Sequence, residues 1–358
     1  MAQDKIVISG IQQAGIGVPD VHEAWAWYRK NFGTDIRVFE EKAVAQLMLP
    51  YTGGKPRSRH AALAINLQGG GGFEIWQYTE RTPQPPLFTP EMGDLGIYIV
   101  KIKSFDISSA HQLLQKNGVT ISGIENSPGN EKFFFAKDLY GNPFQVVETK
   151  EPKFRDEEKP TGSVYGAVLG VTDIAASAKF YAEILGYDKI VYDEEGKFDD
   201  ISWIEGGNGN FRRMLLTHTK PRKGAFSKMF GSSQLELVQK LDGKPRKIFE
   251  NRMWGDLGFI HLCFDIYGMD AMRDLCASKG HPFTIDSFKG QGERFDMGEA
   301  AGHFSYIEDP DGTLIEFVET HKVPLVKKIG WYLNMSKRNP EKPLPDWMLK
   351  AMRFSRVK

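Results

Sequence analysis

Cysteine is scarce in this chain: its 358 residues include only Cys263 and Cys276. The two form no CxxC pair, so they cannot build a thiolate metal cage, and a disulfide scaffold is not expected. Long hydrophobic runs are missing as well. No stretch of about 18 apolar residues occurs, which argues against a membrane-spanning helix. The opening MAQDKIVISG has no apolar leader segment. We therefore expect a soluble, cytoplasmic protein. Net charge is absent too, with 46 Lys+Arg against 46 Asp+Glu. The balance is uneven along the chain. From Lys322 onward there are ten basic and two acidic residues, so the remainder carries an excess of eight acids. An acidic body argues against nucleic acid as the main partner. The hydrophobic fraction of 41% is that of a globular protein, and the length allows two or three domains.

What is present is a repeat. Gly93-Asp94-Leu95-Gly96 recurs as Gly255-Asp256-Leu257-Gly258, and at the same spacing Phe73-Glu74-Ile75-Trp76-Gln77 aligns with Leu235-Glu236-Leu237-Val238-Gln239. Gly17-Val18-Pro19-Asp20-Val21 matches Gly170-Val171-Thr172-Asp173-Ile174, and Asp138-Leu139-Tyr140-Gly141 matches Asp309-Pro310-Asp311-Gly312. The chain is a tandem duplication: 1–150, a charged linker at 151–160, 161–321, and a basic extension at 322–358. Each half divides again. An apolar strand, a helix closing on Gly, and strands ending in an apolar–Glu/Gln–apolar signature occur four times. In the first quarter we expect a strand at Ile6–Val18 and a helix at Val21–Phe32 that buries Trp25, Tyr28 and Phe32. Strands near Ala43–Leu49, Ala61–Leu67 and Phe73–Tyr78 follow. In the third quarter the strand is Tyr165–Val171 and the helix Ile174–Leu185. The even quarters open at Gly96–Lys103 and Gly258–Ile266 and close at Pro143–Glu148 and Thr313–Glu319. The result is an α+β fold of four βαβββ units, with mixed sheets and helices on their outer faces. Gly69–Gly72 lacks the Lys of a phosphate loop and reads as a hairpin turn.

Four such units, with Asp309-Pro310-Asp311-Gly312 followed by Ile315-Glu316-Phe317, resemble the vicinal oxygen chelate superfamily of glyoxalases, extradiol dioxygenases and bleomycin-resistance proteins. The resemblance spans roughly residues 6–320. It implies curved sheets, each closed from two units around one divalent metal, with one ligand from the first strand and one from the last strand of each unit. At those places the first unit carries Gln13 and Glu74, the second Ile99 and Gln145, the third Gly166 and Glu236, and the fourth His261 and Glu316. Ile99 and Gly166 cannot ligate through a side chain. The resemblance thus implies one site, Gln13, Glu74, His261 and Glu316, with the first unit paired to the fourth. The set resembles that of mammalian-type glyoxalase I. Oxygen-rich ligands with one His suit Zn, Ni, Co, Mn or Fe(II).

By the same resemblance Glu316 is the general base. Period-two alternation puts Trp76 on the face of Glu74. Tyr306 stands where extradiol dioxygenases place an active-site Tyr, and Phe304 shares its face. Plainer readings stand beside these. His261 lies in an apolar strand and could be a hydrogen-bonded core residue. Gln12 neighbours Gln13, and a one-residue slip would exchange them. Glu236 shares the context of Glu74 without visible partners. His218, His303 and His321 read as surface or loop residues. In the extension, Asp346 is expected to cap a helix at Trp347–Phe354, and Trp331, Tyr332 and Trp347 suggest docking on the body, with a subunit contact or a lid over the cleft as the rival reading.

The resemblance implies a metal-dependent isomerase or lyase that enolises a small 2-oxo or 2-hydroxycarbonyl compound. Glutathione is not implied with it, because Gly17, Tyr78 and Leu257 stand where glyoxalase I has its glutathione-binding residues. A ferrous ring-cleaving oxygenase is the alternative. A third reading is a non-enzymatic binding protein that stacks flat drugs on aromatic side chains. The partner is expected to be a small molecule, and the oligomeric state stays open, a monomer included.

Overall fold

The computed structural model describes residues 5–288, 295–296, 301–326, 331–335 and 337–357. The first unit contains β1 (Val7–Gly17), α1 (Val21–Phe32), β2 (Ile36–Ala45), β3 (Arg57–Ile65) and β4 (Gly72–Tyr78). The second contains β5 (Gly96–Ser104), α2 (Ile107–Lys116), β6 (Thr120–Ile121), β7 (Glu125–Asn126), β8 (Lys132–Lys137) and β9 (Pro143–Glu148). The third contains β10 (Thr161–Val171), α3 (Ile174–Leu185), β11 (Lys189–Gly196), β12 (Phe211–Thr217), the short α4 (Ser227–Phe230) and β13 (Gln234–Lys240). The fourth contains β14 (Gly258–Tyr267), α5 (Met269–Ser278), β15 (Ile285–Asp286), β16 (Phe295–Asp296), β17 (Ala301–Glu308) and β18 (Leu314–Thr320). A hairpin of β19 (Lys322–Val326) and β20 (Trp331–Asn334), then α6 (Asp346–Lys350), form the extension.

The helices start and stop where local chemistry dictates. Asp20 accepts from the Glu23 N–H at the start of α1, and Gly33 closes it at φ +66. Asp173 and Gly186 do the same for α3. Both helices bury an aromatic stripe, and each sends one Tyr to the signature turn of the next unit. The Tyr28 hydroxyl donates to Asp138 at 2.7 Å, and Tyr181 to Asp309 at 2.8 Å.

The strands form two large mixed sheets, and each draws one unit from either side of the repeat boundary. One sheet has the order β15-β17-β18-β14-β1-β4-β3-β2, so the first and fourth units share it. The other runs β11-β12-β13-β10-β5-β9-β8-β6, from the third and second. The glycine run at 69–72 turns β3 into β4 and also touches β10, where Gly71 and Val164 exchange backbone hydrogen bonds. No helix among the described residues is long and apolar enough to cross a membrane.

Two expectations need correction. The second strand of the first unit is Ile36–Ala45, not Ala43–Leu49, and its partner is Arg57–Ile65. It is an edge strand carrying Arg37, Glu40, Glu41 and Lys42, so it shows no apolar pattern. In the extension, Asp346 opens α6 without capping it, and the helix gives way to a 3-10 turn at Ala351–Ser355. Trp347 is 68% exposed; Leu344 and Leu349 are the buried anchors. The Trp331 and Tyr332 side chains lie outside the described residues. Arg356 pairs with Asp35 and Glu157 on the body.

Candidate metal centre

β1 and β14 lie side by side and antiparallel at the middle of the first sheet, with Gly15 opposite His261 and Gln13 opposite Cys263. β4 flanks β1 in parallel and sets Glu74 beside Gly15; β18 flanks β14 and sets Glu316 beside Cys263. Paired residues share a face, so Gln13, Glu74, His261 and Glu316 project together. A bulge between Ile11 and Gln13 absorbs Gln12, which leaves Gln13 as the inward residue. Gly15 makes the room: a Cβ there would lie 2.4 Å from the His261 ring.

The four side chains are buried. His261 Nε2 lies 3.1 Å from Glu316 Oε2 and 3.4 Å from Glu74 Oε2. Gln13 Nε2 lies 3.4 Å from both carboxylates. Burial pushes the Glu74 carboxyl up to about 7, against the pull of His261 and with a push from Glu316. Burial would lower the His261 pKa, but the two carboxylates outweigh it and the imidazole is raised.

Neither His261 nitrogen makes a well-directed hydrogen bond, and Gln13 Oε1 makes none. Buried polar atoms are rarely left so. A divalent cation would take one His261 nitrogen and Gln13 Oε1, with two carboxylates to balance its charge. The ligand atoms of Glu74, His261 and Glu316 already lie within 4.8 Å of one another. The residues therefore fit the ion.

Aromatic rings wall the cluster. Trp76 is fully buried and meets Trp254 edge-on at 4.8 Å between centroids. Trp254 lies parallel to His261 at 6.1 Å, and Tyr306 stands perpendicular to it at 5.5 Å. Phe304 packs against Tyr306. Tyr306 is the direct cross-strand partner of Glu316. Burial, then Glu316, pushes the Tyr306 hydroxyl far up, so it stays protonated.

Four residues here escaped the sequence. Trp254 sits in the loop before β14, held by its N–H on the Tyr51 carbonyl, and no periodicity marks it. Next to it, Gly255 has φ +94, and a Cβ there would meet the Trp76 ring at 2.1 Å. Cys263 faces the cluster beside Glu316. Arg59 shares the face of Trp76 and Tyr78, and its Nη1 is buried without a partner. The bland reading of His303 also fails: it is buried and bonded to Asp286 at 2.6 Å. His218 bonds the Lys220 carbonyl, and His321 lies 3.7 Å from Glu319.

The equivalent place in the second sheet is built differently. A Cβ on Gly166 would fall 1.7 Å from the Gln234 carbonyl oxygen, so no side chain fits there. Glu236 has partners that the sequence did not reveal. Lys101 donates to it at 2.8 Å, and Arg213 grips its other oxygen at 2.7 Å while holding Asp200. Burial alone would raise the Glu236 carboxyl; Arg213 and Lys101 overcome this and hold it at about 2. Ile99, Tyr98, Phe133, Phe135 and Phe211 pack the surrounding space.

Residues 166–317 match the model of the Glyoxalase/Bleomycin resistance protein/Dioxygenase superfamily. That stretch contains His261 and Glu316 but not Gln13 or Glu74. Among solved structures, glyoxalase I from Zea mays is similar at 14% identity and a TM-score of 0.53, covering 87% of this chain and 92% of its own. A protein from Bacillus subtilis described as a candidate dioxygenase is similar at 14% identity and a TM-score of 0.58, covering 98% of this chain and 97% of its own. At such identities the likeness is one of fold. No curated protein matches the chain.

Proposed function

We propose that this chain belongs to the Glyoxalase/Bleomycin resistance protein/Dioxygenase superfamily, whose model matches residues 166–317, and that it is a metal-dependent enzyme of glyoxalase type. It acts on a small 2-oxo or 2-hydroxycarbonyl compound and moves a proton between adjacent carbons. The observation that carries this reading is the buried convergence of Gln13, Glu74, His261 and Glu316, with both His261 nitrogens and Gln13 Oε1 unsatisfied. Zn, Ni, Co, Mn and Fe(II) suit the donor set. When bound, the ion polarises a substrate oxygen as a Lewis acid.

The chain's own residues do the rest. Glu316 takes the proton from carbon and returns it to the neighbouring carbon. Gln13 and His261 hold that carboxylate in place from one side, and Tyr306 confronts it across the strand pair. Trp76, Trp254, Tyr306 and Phe304 exclude water and offer flat apolar walls to the substrate. Glutathione is not part of the reading. Gly17 is pressed against the Asp256 carbonyl, and the Tyr78 hydroxyl is already engaged by the Trp254 carbonyl.

The test is bound metal per chain, on wild type, Glu74→Ala and Glu236→Ala, after loading with Zn, Ni, Mn and ferrous iron in turn. Loaded protein is then screened for exchange of substrate C–H with deuterated solvent in the absence of oxygen. One ion lost only with Glu74→Ala, together with exchange, supports the reading. A metal-free wild type sinks it and leaves a binding protein. Tyr306 beside Glu316 favours a ring-cleaving oxygenase as the second reading, whereas the single imidazole counts against it. Oxygen uptake with a catechol by the iron-loaded protein would promote it.

A further inference from the structure

A second cluster lies on the opposite face of the same sheet. Arg59 and Ala61 face the candidate centre with Tyr78 and Trp76, so the intervening His60 faces away, toward α1. On β2, Lys42 is the cross-strand partner of His60, which puts Glu40 diagonally beside it on one face. His22, in the first turn of α1, reaches the same place. His22 Nε2 lies 2.6 Å from Glu40 Oε1, and His60 Nε2 lies 3.2 Å from that same oxygen. The two rings are perpendicular, with centroids 5.1 Å apart. The other Glu40 oxygen takes Arg37 Nη1 at 3.3 Å. Exposure of the side chains grades from 11% for His60 through 21% for Glu40 to 69% for His22. The group is therefore anchored on the sheet and open at the helix.

We propose that His22, Glu40 and His60 form a second divalent-metal site, with two imidazoles, one monodentate carboxylate and a fourth position open to water. Their ligand atoms lie within 4.8 Å of one another. An ion held at about 2.0–2.2 Å from each ligand needs them roughly 3–3.5 Å apart. The His60–Glu40 spacing meets that already, and the His22–Glu40 spacing of 2.6 Å falls short of it by less than about 1 Å. Two imidazoles and one carboxylate suit Zn, Cu or Ni. The site differs from the central one in position and in having two imidazoles instead of one. It joins α1 to the edge of the sheet, so an ion there ties the helix to β2 and β3.

The experiment is equilibrium dialysis of the full chain against Zn, followed by metal analysis, on wild type, His22→Ala, His60→Ala and His261→Ala. Cu(II) bound to His261→Ala is examined in parallel by pulsed EPR, which counts coordinated imidazoles. The expected result is two ions per wild-type chain and one in each variant, with the peripheral ion bound at least tenfold more weakly after loss of either His. The copper signal should report two imidazoles in His261→Ala and one in the double variant with His22→Ala. Two ions retained in His22→Ala overturn the proposal. So does one ion in the wild type that vanishes in His261→Ala, since the peripheral group is then only a hydrogen-bonded cluster. One ion that survives His261→Ala and is lost in His22→Ala upholds this site and refutes the central one.

Discussion

Glu74 and Glu236 occupy the same position of the repeat, yet their replacement by Gln should have opposite consequences. Glu236 is clamped by Lys101 and Arg213 with almost no exposure, and its carboxyl is held at about 2 against an ordinary 4.5. At about 1.4 kcal/mol per pKa unit, that depression is worth about 3 kcal/mol of folded stability at neutral pH. Glu236→Gln keeps the shape and removes the charge, leaving two buried cations with Asp200 alone. Breaking such a pair costs about 3–5 kcal/mol. Because the folded pKa is depressed, the stabilisation is present above about 4.5 and is lost as pH falls toward 2. Urea unfolding followed by circular dichroism, with chelator present, should therefore show Glu236→Gln destabilised by about 3–5 kcal/mol at pH 7, with a flatter acid limb than wild type. Glu74→Gln should go the other way. Burial raises its carboxyl, so the ionised form is disfavoured in the metal-free fold, and the amide should be neutral or stabilising at pH 8. Metal stoichiometry should reverse the order, with Glu236→Gln keeping its central ion and Glu74→Gln losing it. A Glu236→Gln protein within about 1 kcal/mol of wild type that also lost its central ion would refute the assignment of the two carboxylates.

Three further outcomes follow from the geometry. Gly15→Ala should weaken central metal binding at least tenfold while the protein still folds, because the new Cβ displaces the His261 ring; dialysis binding with unchanged far-ultraviolet dichroism is the check, and unchanged affinity would contradict it. Asp265 is raised by burial to about 7 from 3.8, so wild-type stability should fall as pH climbs between those values; Asp265→Asn should remove the slope and gain on the order of 4 kcal/mol at pH 8 relative to pH 4, a difference that parallel urea titrations would measure. Tyr181→Phe should cost about 1–3 kcal/mol, since Tyr181 supplies the hydrogen bond to Asp309 Oδ2, and Tyr28→Phe should cost less, since Asn142 still donates to Asp138 Oδ2 at 2.8 Å; equal losses in thermal unfolding would contradict this.

The parts legible in the sequence are those fixed by local chemistry. Val21–Phe32 and Ile174–Leu185 can be read to the residue because an Asp cap and a left-handed Gly bracket each apolar stripe. The set Gln13, Glu74, His261 and Glu316 is legible only through the family resemblance, which implies a ligand from the first and last strand of each unit; the register that brings the four together is seen in the structure. What stays hidden depends on distant partners. Nothing near Glu236 announces Lys101 or Arg213, which lie 135 and 23 residues away. β2 is an edge strand, so its charges satisfy cross-strand partners such as Arg59 and leave no alternation to detect. Trp254 belongs to a loop, where no periodicity exists, and His22 meets Glu40 and His60 only through the docking of α1.

The nesting of the units bears on why the outer pair carries the site. Register partners Ile102 and Val164 in the second sheet are 62 residues apart, whereas Gly15 and His261 in the first are 246 apart. Closing the longer loop costs only about 1 kcal/mol more, because loop entropy grows as the logarithm of length. Chain entropy therefore does not forbid the outer sheet, and packing decides the pairing. The inner sheet can be completed by protein groups alone, since Lys101 and Arg213 neutralise Glu236 where an ion would otherwise be required. The outer sheet brings two carboxylates and an imidazole together with no Lys or Arg ion pair to either carboxylate among the described residues. An ion that binds there binds the folded chain only, since Gln13 and Glu316 lie 303 residues apart. Its affinity is thereby coupled to closure of the first unit on the fourth, and the same contact that completes the chemistry completes the fold.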